Sequence, residues 1–138
     1  MATGRTYLSR RRFMLAASAA TAAISALAQK PGGDWDGPAV VRKLYLGGTP
    51  SWPRPDIDVA KEVACIETQL AEVERRYPGK IRFTGGETVS SVEGMDAWLA
   101  APDGSDAVLV FPMITITYSR LRMLAESGRP VLMFSLPY

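Results

Sequence analysis

Four short stretches of this chain hold the side chains best suited to gripping a small molecule. They are Gly47-Gly48-Thr49-Pro50-Ser51-Trp52, Thr84-Gly85-Gly86-Glu87, Pro112-Met113-Ile114-Thr115-Ile116-Thr117-Tyr118 and Ser135-Leu136-Pro137-Tyr138. Each supplies hydroxyls, glycine backbone or an aromatic ring. That set hydrogen-bonds and stacks against a polyol or sugar better than it cradles a phosphate. The candidate ligand contacts are Thr49, Trp52, Thr84, Glu87, Thr115 and Tyr118. Neither glycine pair belongs to a G-x-G-x-x-G and no G-K-[ST] follows one, so the nucleotide fingerprint is absent. Plainer readings stand beside these. The glycine pairs suit tight strand-to-helix turns through their access to positive φ. Trp52, set among prolines, is a stacking platform or a lid on a neighbouring helix. Glu87 is a ligand contact, or a first-turn carboxylate that a helix dipole favours anyway.

The absences narrow the chemistry further. The sequence contains no histidine and a single cysteine, Cys65. One thiol cannot form an internal disulfide, and no Cys/His cluster exists to hold zinc. Without histidine the commonest general base is missing, together with every Ser-His or Cys-His nucleophile pair. No catalytic and no metal-binding residue is assigned. Cys65 reads as a small buried residue of a helix.

The elements that must position the loops follow from hydrophobic patterning. Lys30 to Pro38 is rich in Gly, Pro and Asp and reads as part of a linker over residues 29–39. Val40 to Leu46 is a strand, closed by Gly47-Gly48. Asp56 is the expected N-cap of a long helix in which Val59, Val63, Ile66, Leu70, Val73 and Tyr77 recur at spacings of three and four. Pro78-Gly79 stops it, and Arg75-Arg76 complement its dipole. Ile81 to Phe83 is a short strand ending at Gly85-Gly86. Thr88 to Ala100 is a helix with Val89, Val92, Met95 (or Asp96) and Leu99 as its stripe. Ala107 to Phe111 is a continuous apolar strand. Thr115 or Thr117 starts a helix with Leu121, Leu124 and Ala125 facing inward and Gly128 beyond its end. Val131 to Phe134 is the last strand. The alternation predicts one α/β domain over residues 40–138, a three-layer parallel sheet of Rossmann-like or flavodoxin-like type (βαβαβαβ). In such sheets ligands bind beyond the carboxyl ends of the strands, where the four loops fall. A four-strand sheet that finishes on an interior-type strand leads us to expect that these 138 residues open a longer protein.

The first 28 residues read as an address. Ser9-Arg10-Arg11-Arg12-Phe13-Met14-Leu15 resembles the twin-arginine export motif, with Arg10, Arg11 and Phe13 in its recognition positions. A charge-free, alanine-rich run follows, and Ala26-Leu27-Ala28 is a small-x-small cleavage site that places the mature start at Gln29. The run is too short for a comfortable membrane span, and no cysteine lies near it to carry a lipid. The expected partner is therefore the twin-arginine (Tat) translocase, and the expected location is periplasmic or extracellular, without a stable membrane anchor. The formal charge of +2 belongs to this leader. Of 16 basic residues, Arg5, Arg10, Arg11 and Arg12 precede Lys30, and the other 12 face 14 acidic ones. The remainder is slightly acidic, which argues against nucleic acid as a partner.

At "DAVLVFPMITITYSRLRMLAESGRPVLMFSLPY", Asp106 to Tyr138, the chain resembles the amino-terminal domain of the L-fucose and L-arabinose isomerase family. Lys43 to Thr49 and the helix after it are similar to that domain's opening. The resemblance is one of pattern and spacing over residues 41–138. It implies an aldose-ketose isomerase or a non-catalytic relative with a Rossmann-like first domain, a homo-oligomeric assembly and a divalent metal such as manganese; the export signal is a departure from the cytoplasmic isomerases of that family. The family's metal-binding carboxylates and histidine lie in later domains, so no catalytic residue carries over. This segment alone is then expected to be a carbohydrate-binding and assembly unit without catalysis. The rival reading, of another class, is a lobe of a periplasmic solute-binding protein that holds a sugar between two lobes.

Overall fold

β1 (Ala39–Leu46) is buried on both faces along nearly its whole length, as a central strand covered by helices must be. The structure is a computed structural model, and it describes residues 37–50, 55–114 and 117–134. The leader, the cleavage site and most of the linker lie outside the described residues. Ala39, assigned to the linker from sequence, is the first residue of β1. Strand and helix then alternate through α1 (Val59–Arg76), β2 (Ile81–Val89), α2 (Val92–Ala100), β3 (Ala107–Pro112), α3 (Tyr118–Glu126) and β4 (Val131–Met133). The four strands form one parallel sheet in the order β2-β1-β3-β4. The chain is an α/β fold of the Rossmann-like or flavodoxin-like three-layer kind.

The strand order explains the layers. From β1 the chain moves to one edge, then returns past β1 to β3 and continues outward to β4. Right-handed crossovers require opposite faces for the two directions of travel. Accordingly, α1 supplies Ile66 and Leu70 to one core with Val41, Tyr45, Leu109 and Phe111. The other core takes Met95 and Trp98 of α2 and Leu124 of α3, against Leu44, Leu46, Val108 and Val110. Burying each such side chain contributes about 1.5–3 kcal/mol.

Beyond one-residue shifts at the ends of β1, β3 and β4, the structure differs from the sequence expectation around α1, β2 and the two later helices. The N-cap of α1 is Asp58, not Asp56. The Asp58 carboxylate accepts from the Lys61 amide at 3.0 Å, while Ile57 before it is buried. β2 does not stop at Gly85-Gly86 but runs on to Val89, so α2 starts at Val92, with the Ser91 hydroxyl accepting from the Gly94 amide. The buried stripe of α2 is Met95 with Trp98, and Val92 faces solvent. In α3, Leu124 is buried as expected, but Ala125 is exposed and Arg120 takes the inward position.

The glycine pair of β2 is a β-bulge. Register slips between Lys43 and Leu44: Lys43 pairs with Gly85 and Leu44 with Glu87, leaving Gly86 unpaired. Both glycines have positive φ (67° and 119°). Since successive strand residues face opposite sides, one extra residue inverts the alternation downstream. Ile81 and Phe83 therefore face the α1 layer, while Val89, six residues beyond Phe83, packs into the opposite core.

Candidate functional site

The carboxyl ends of β1 and β3 lie side by side, and from them the chain departs in opposite directions, to α1 and β2 on one side and to α3 and β4 on the other. Such a reversal opens a crevice, the preferred ligand position in open α/β sheets. Its walls are the loops after β1 and β3. They touch: a Cβ placed on Gly48 would sit 2.5 Å from Ile114 Cδ1, so glycine, at φ 151°, is what lets the loops close up. The Met113 amide donates to the Leu46 carbonyl at 3.0 Å and joins the two strand ends.

Thr49 is exposed in the first loop, and Tyr118, the first residue of α3, stands 82% exposed beyond the second. These two candidates come to the same end of the sheet. Trp52 and Thr115, also singled out from sequence, lie outside the described residues, as do Arg10, Arg11, Phe13, Ala26 and Ala28. Thr84 and Glu87 do not join the crevice. Both lie within β2, Thr84 opposite Arg42 and Glu87 opposite Leu44, because the glycines form a bulge and not a strand-to-helix turn.

The floor of the crevice is set by Arg120, which sequence reasoning passed over. It is 5% exposed, and its Nη1 donates to the carbonyl of Gly47 at 2.7 Å and of Val89 at 2.8 Å. The Gly47 amide also donates to the Val89 carbonyl, so β1, β2 and α3 are tied at one point. Burial lowers the guanidinium's pKa from its usual value. A local signal existed: Thr117, Arg120 and Leu124 follow helical spacing, and all three are buried.

Two further charged clusters lie away from this end, one on each face of β1. On the α2 face, Arg42 Nη1 donates to Asp103 Oδ2 at 2.9 Å and to the Trp98 carbonyl at 3.3 Å, and its guanidinium lies 3.9 Å from the Trp98 ring centroid. Glu87 meets Arg42 at 3.5 Å and accepts from the Trp98 indole at 3.2 Å. Arg129 also pairs with Asp103. Burial opposes ionisation of Asp103, but the Ser105 amide and the two guanidinium groups outweigh it and hold the carboxyl well below the usual range. Glu87 is likewise lowered: partial burial works against its charge, while backbone amides, the indole and Arg42 outweigh it. On the α1 face, Lys43 Nζ and Tyr45 Oη both donate to Glu67, at 2.5 and 2.7 Å. Burial first, then the Glu67 carboxylate, pushes the Tyr45 phenol far above its ordinary range. Both clusters are internally paired and read as fasteners between helix and sheet.

Among the described residues, no three Cys, Asp or Glu side chains converge to hold a metal ion, and no helix is long and apolar enough to cross a membrane. The described side chains therefore do not fit manganese. Comparison of the chain with protein-family models, with curated proteins and with solved structures returns no match.

Proposed function

We propose that the chain is the ligand-holding α/β unit of an exported, sugar-isomerase-like protein, binding a carbohydrate in the crevice between β1 and β3. The observation that carries this reading is the exposed Tyr118 ring at the point where the strand order reverses, with Thr49 at the same end. A large aromatic face left in water at a strand-end crevice suits stacking against the apolar face of a sugar ring. Hydroxyls and glycine amides suit its edges. This segment binds and orients; the acid, base and metal of an isomerisation come from elsewhere in a longer chain.

The test is titration of the 138-residue chain with neutral aldoses and ketoses, followed by amide and indole chemical shifts. Binding should perturb Thr49, Gly48 and the start of α3. Tyr118→Ala should weaken it about tenfold, while stability moves by less than about 0.5 kcal/mol, as for other exposed positions. Shifts confined to other surfaces, or none at saturating sugar, would refute the reading.

A further inference from the structure

The loop that carries Thr49 is not fixed by its own backbone. It opens with Gly47-Gly48, and paired glycines leave the direction of the chain free to vary. Tyr118 stands on the other wall of the crevice, at the start of α3. One side chain ties this loop to that helix. Arg120 lies two residues beyond Tyr118 in α3, and its Nη1 donates at 2.7 Å to the carbonyl of Gly47, two residues before Thr49. The same nitrogen donates at 2.8 Å to the Val89 carbonyl, which also accepts from the Gly47 amide at 3.0 Å. The Val89 oxygen thus uses both of its acceptor positions, and the end of β2 backs the joint. Close approach of β1 and β2 makes this possible: a Cβ on Gly47 would sit 2.6 Å from Thr88 Cγ2. Arg120 is itself buried, so it shapes the crevice from beneath and does not meet what enters it.

We propose that Arg120 is the positioning residue of the crevice, holding Thr49 and Tyr118 at a fixed separation and so keeping the site preformed before a sugar arrives. The proposal rests on the carbohydrate reading of the same crevice and assigns what keeps that site in shape. A strut between two walls spares the ligand the entropy of ordering them, and preorganisation of that kind is read directly as affinity.

The experiment titrates the 138-residue chain with glucose, galactose, xylose and fructose by calorimetry, then repeats the tightest of these with Arg120→Lys, Arg120→Met and Gly79→Ala. Arg120→Lys keeps the charge and a donor nitrogen on a shorter stem, whereas Arg120→Met removes both. Affinity should fall about threefold in the first and about tenfold in the second, as hydrogen bonds that hold the site are weakened or lost. The amide shifts of Gly48 and Thr49 should move in the same order before any sugar is added. Gly79→Ala removes stability in the turn before β2, at the opposite end of the sheet, and should leave affinity and those two shifts unchanged. Should Arg120→Met fold poorly, the comparison of Arg120→Lys with Gly79→Ala decides. Unaltered affinity in every folded Arg120 variant, with Tyr118→Ala weakening binding, would overturn the positioning role and leave the carbohydrate reading standing. Equal losses in Arg120→Lys and Gly79→Ala would also overturn it, since general destabilisation would then account for both. Silence of the unaltered chain toward all four sugars would overturn the carbohydrate reading and this proposal with it.

Discussion

Replacing Gly85 by alanine tests the bulge of β2 directly. Gly85 has φ 67°, a left-handed conformation in which a Cβ crowds its own backbone at a cost of about 1–2 kcal/mol. An added Cβ would also lie 3.1 Å from the Lys43 carbonyl oxygen, 3.0 Å from Arg42 Cγ and 2.9 Å from Glu87 Oε2. Glu87 can swing aside. Lys43 is backbone of the central strand and Arg42 is packed on Trp98, so neither gives way cheaply. We expect a total loss of about 2–3 kcal/mol. Two other glycines separate the contributions. Gly79, at φ 71° with nothing within 4 Å of its Cβ position, should lose only the backbone part, about 1–2 kcal/mol. Gly104, without positive φ and equally open, should be unchanged or gain about 0.4–1 kcal/mol from a stiffer unfolded chain. Urea unfolding of the three variants, at constant slope, reads all three values. Gly85→Ala as stable as Gly104→Ala would refute the bulge and the inversion of facing that depends on it.

Two predictions concern the buried charges. Arg42→Met should cost about 1.5–3 kcal/mol by removing one of the two guanidinium partners of Asp103, since Arg129 and the Ser105 amide still hold the carboxylate, and less when combined with Asp103→Asn; a denaturation double-mutant cycle measures the difference. Asp103 is ionised more readily folded than unfolded, so the unfolded chain binds more protons in acid and stability rises with pH. That stabilisation is present above the ordinary aspartate value of about 4 and is lost as pH falls from there toward the depressed folded value. Asp103→Asn should flatten the acid limb of a stability-pH curve, and a variant with an unchanged limb would argue against the assignment.

The layered fold was legible because its signals are long or unbroken. The apolar stripe of α1 spans 18 residues, and β3 is an uninterrupted apolar run buried on both faces. Gly85-Gly86 misled because paired glycines punctuate a chain equally well as a turn or as a bulge. The difference lies in the partner strand, which local pattern does not contain. Placing Glu87 beyond β2 followed from that error. Shifting the start of α2 to Val92 then changed its buried face, bringing Trp98 inward. Arg120 was hidden for another reason. Its two carbonyl partners lie 73 and 31 residues away and exist as acceptors only once the ends of β1 and β2 are in place. That Thr49 and Tyr118 fall at the same end of the sheet was legible because the strand-end rule needs only element order.

The pair of adjacent cations in β1 also imposes a timetable on folding. Arg42 and Lys43 sit in the most deeply buried strand, yet their partners arrive late: Glu67 is 24 residues downstream of Lys43, Glu87 is 45 downstream of Arg42 and Asp103 is 61. A nascent strand with two unmatched charges resists premature collapse, since desolvating either one alone is expensive. Burial of β1 therefore waits for contacts of high sequence separation, which slows the search for the native state. In return, it keeps a deeply buried central strand from closing on the wrong neighbour.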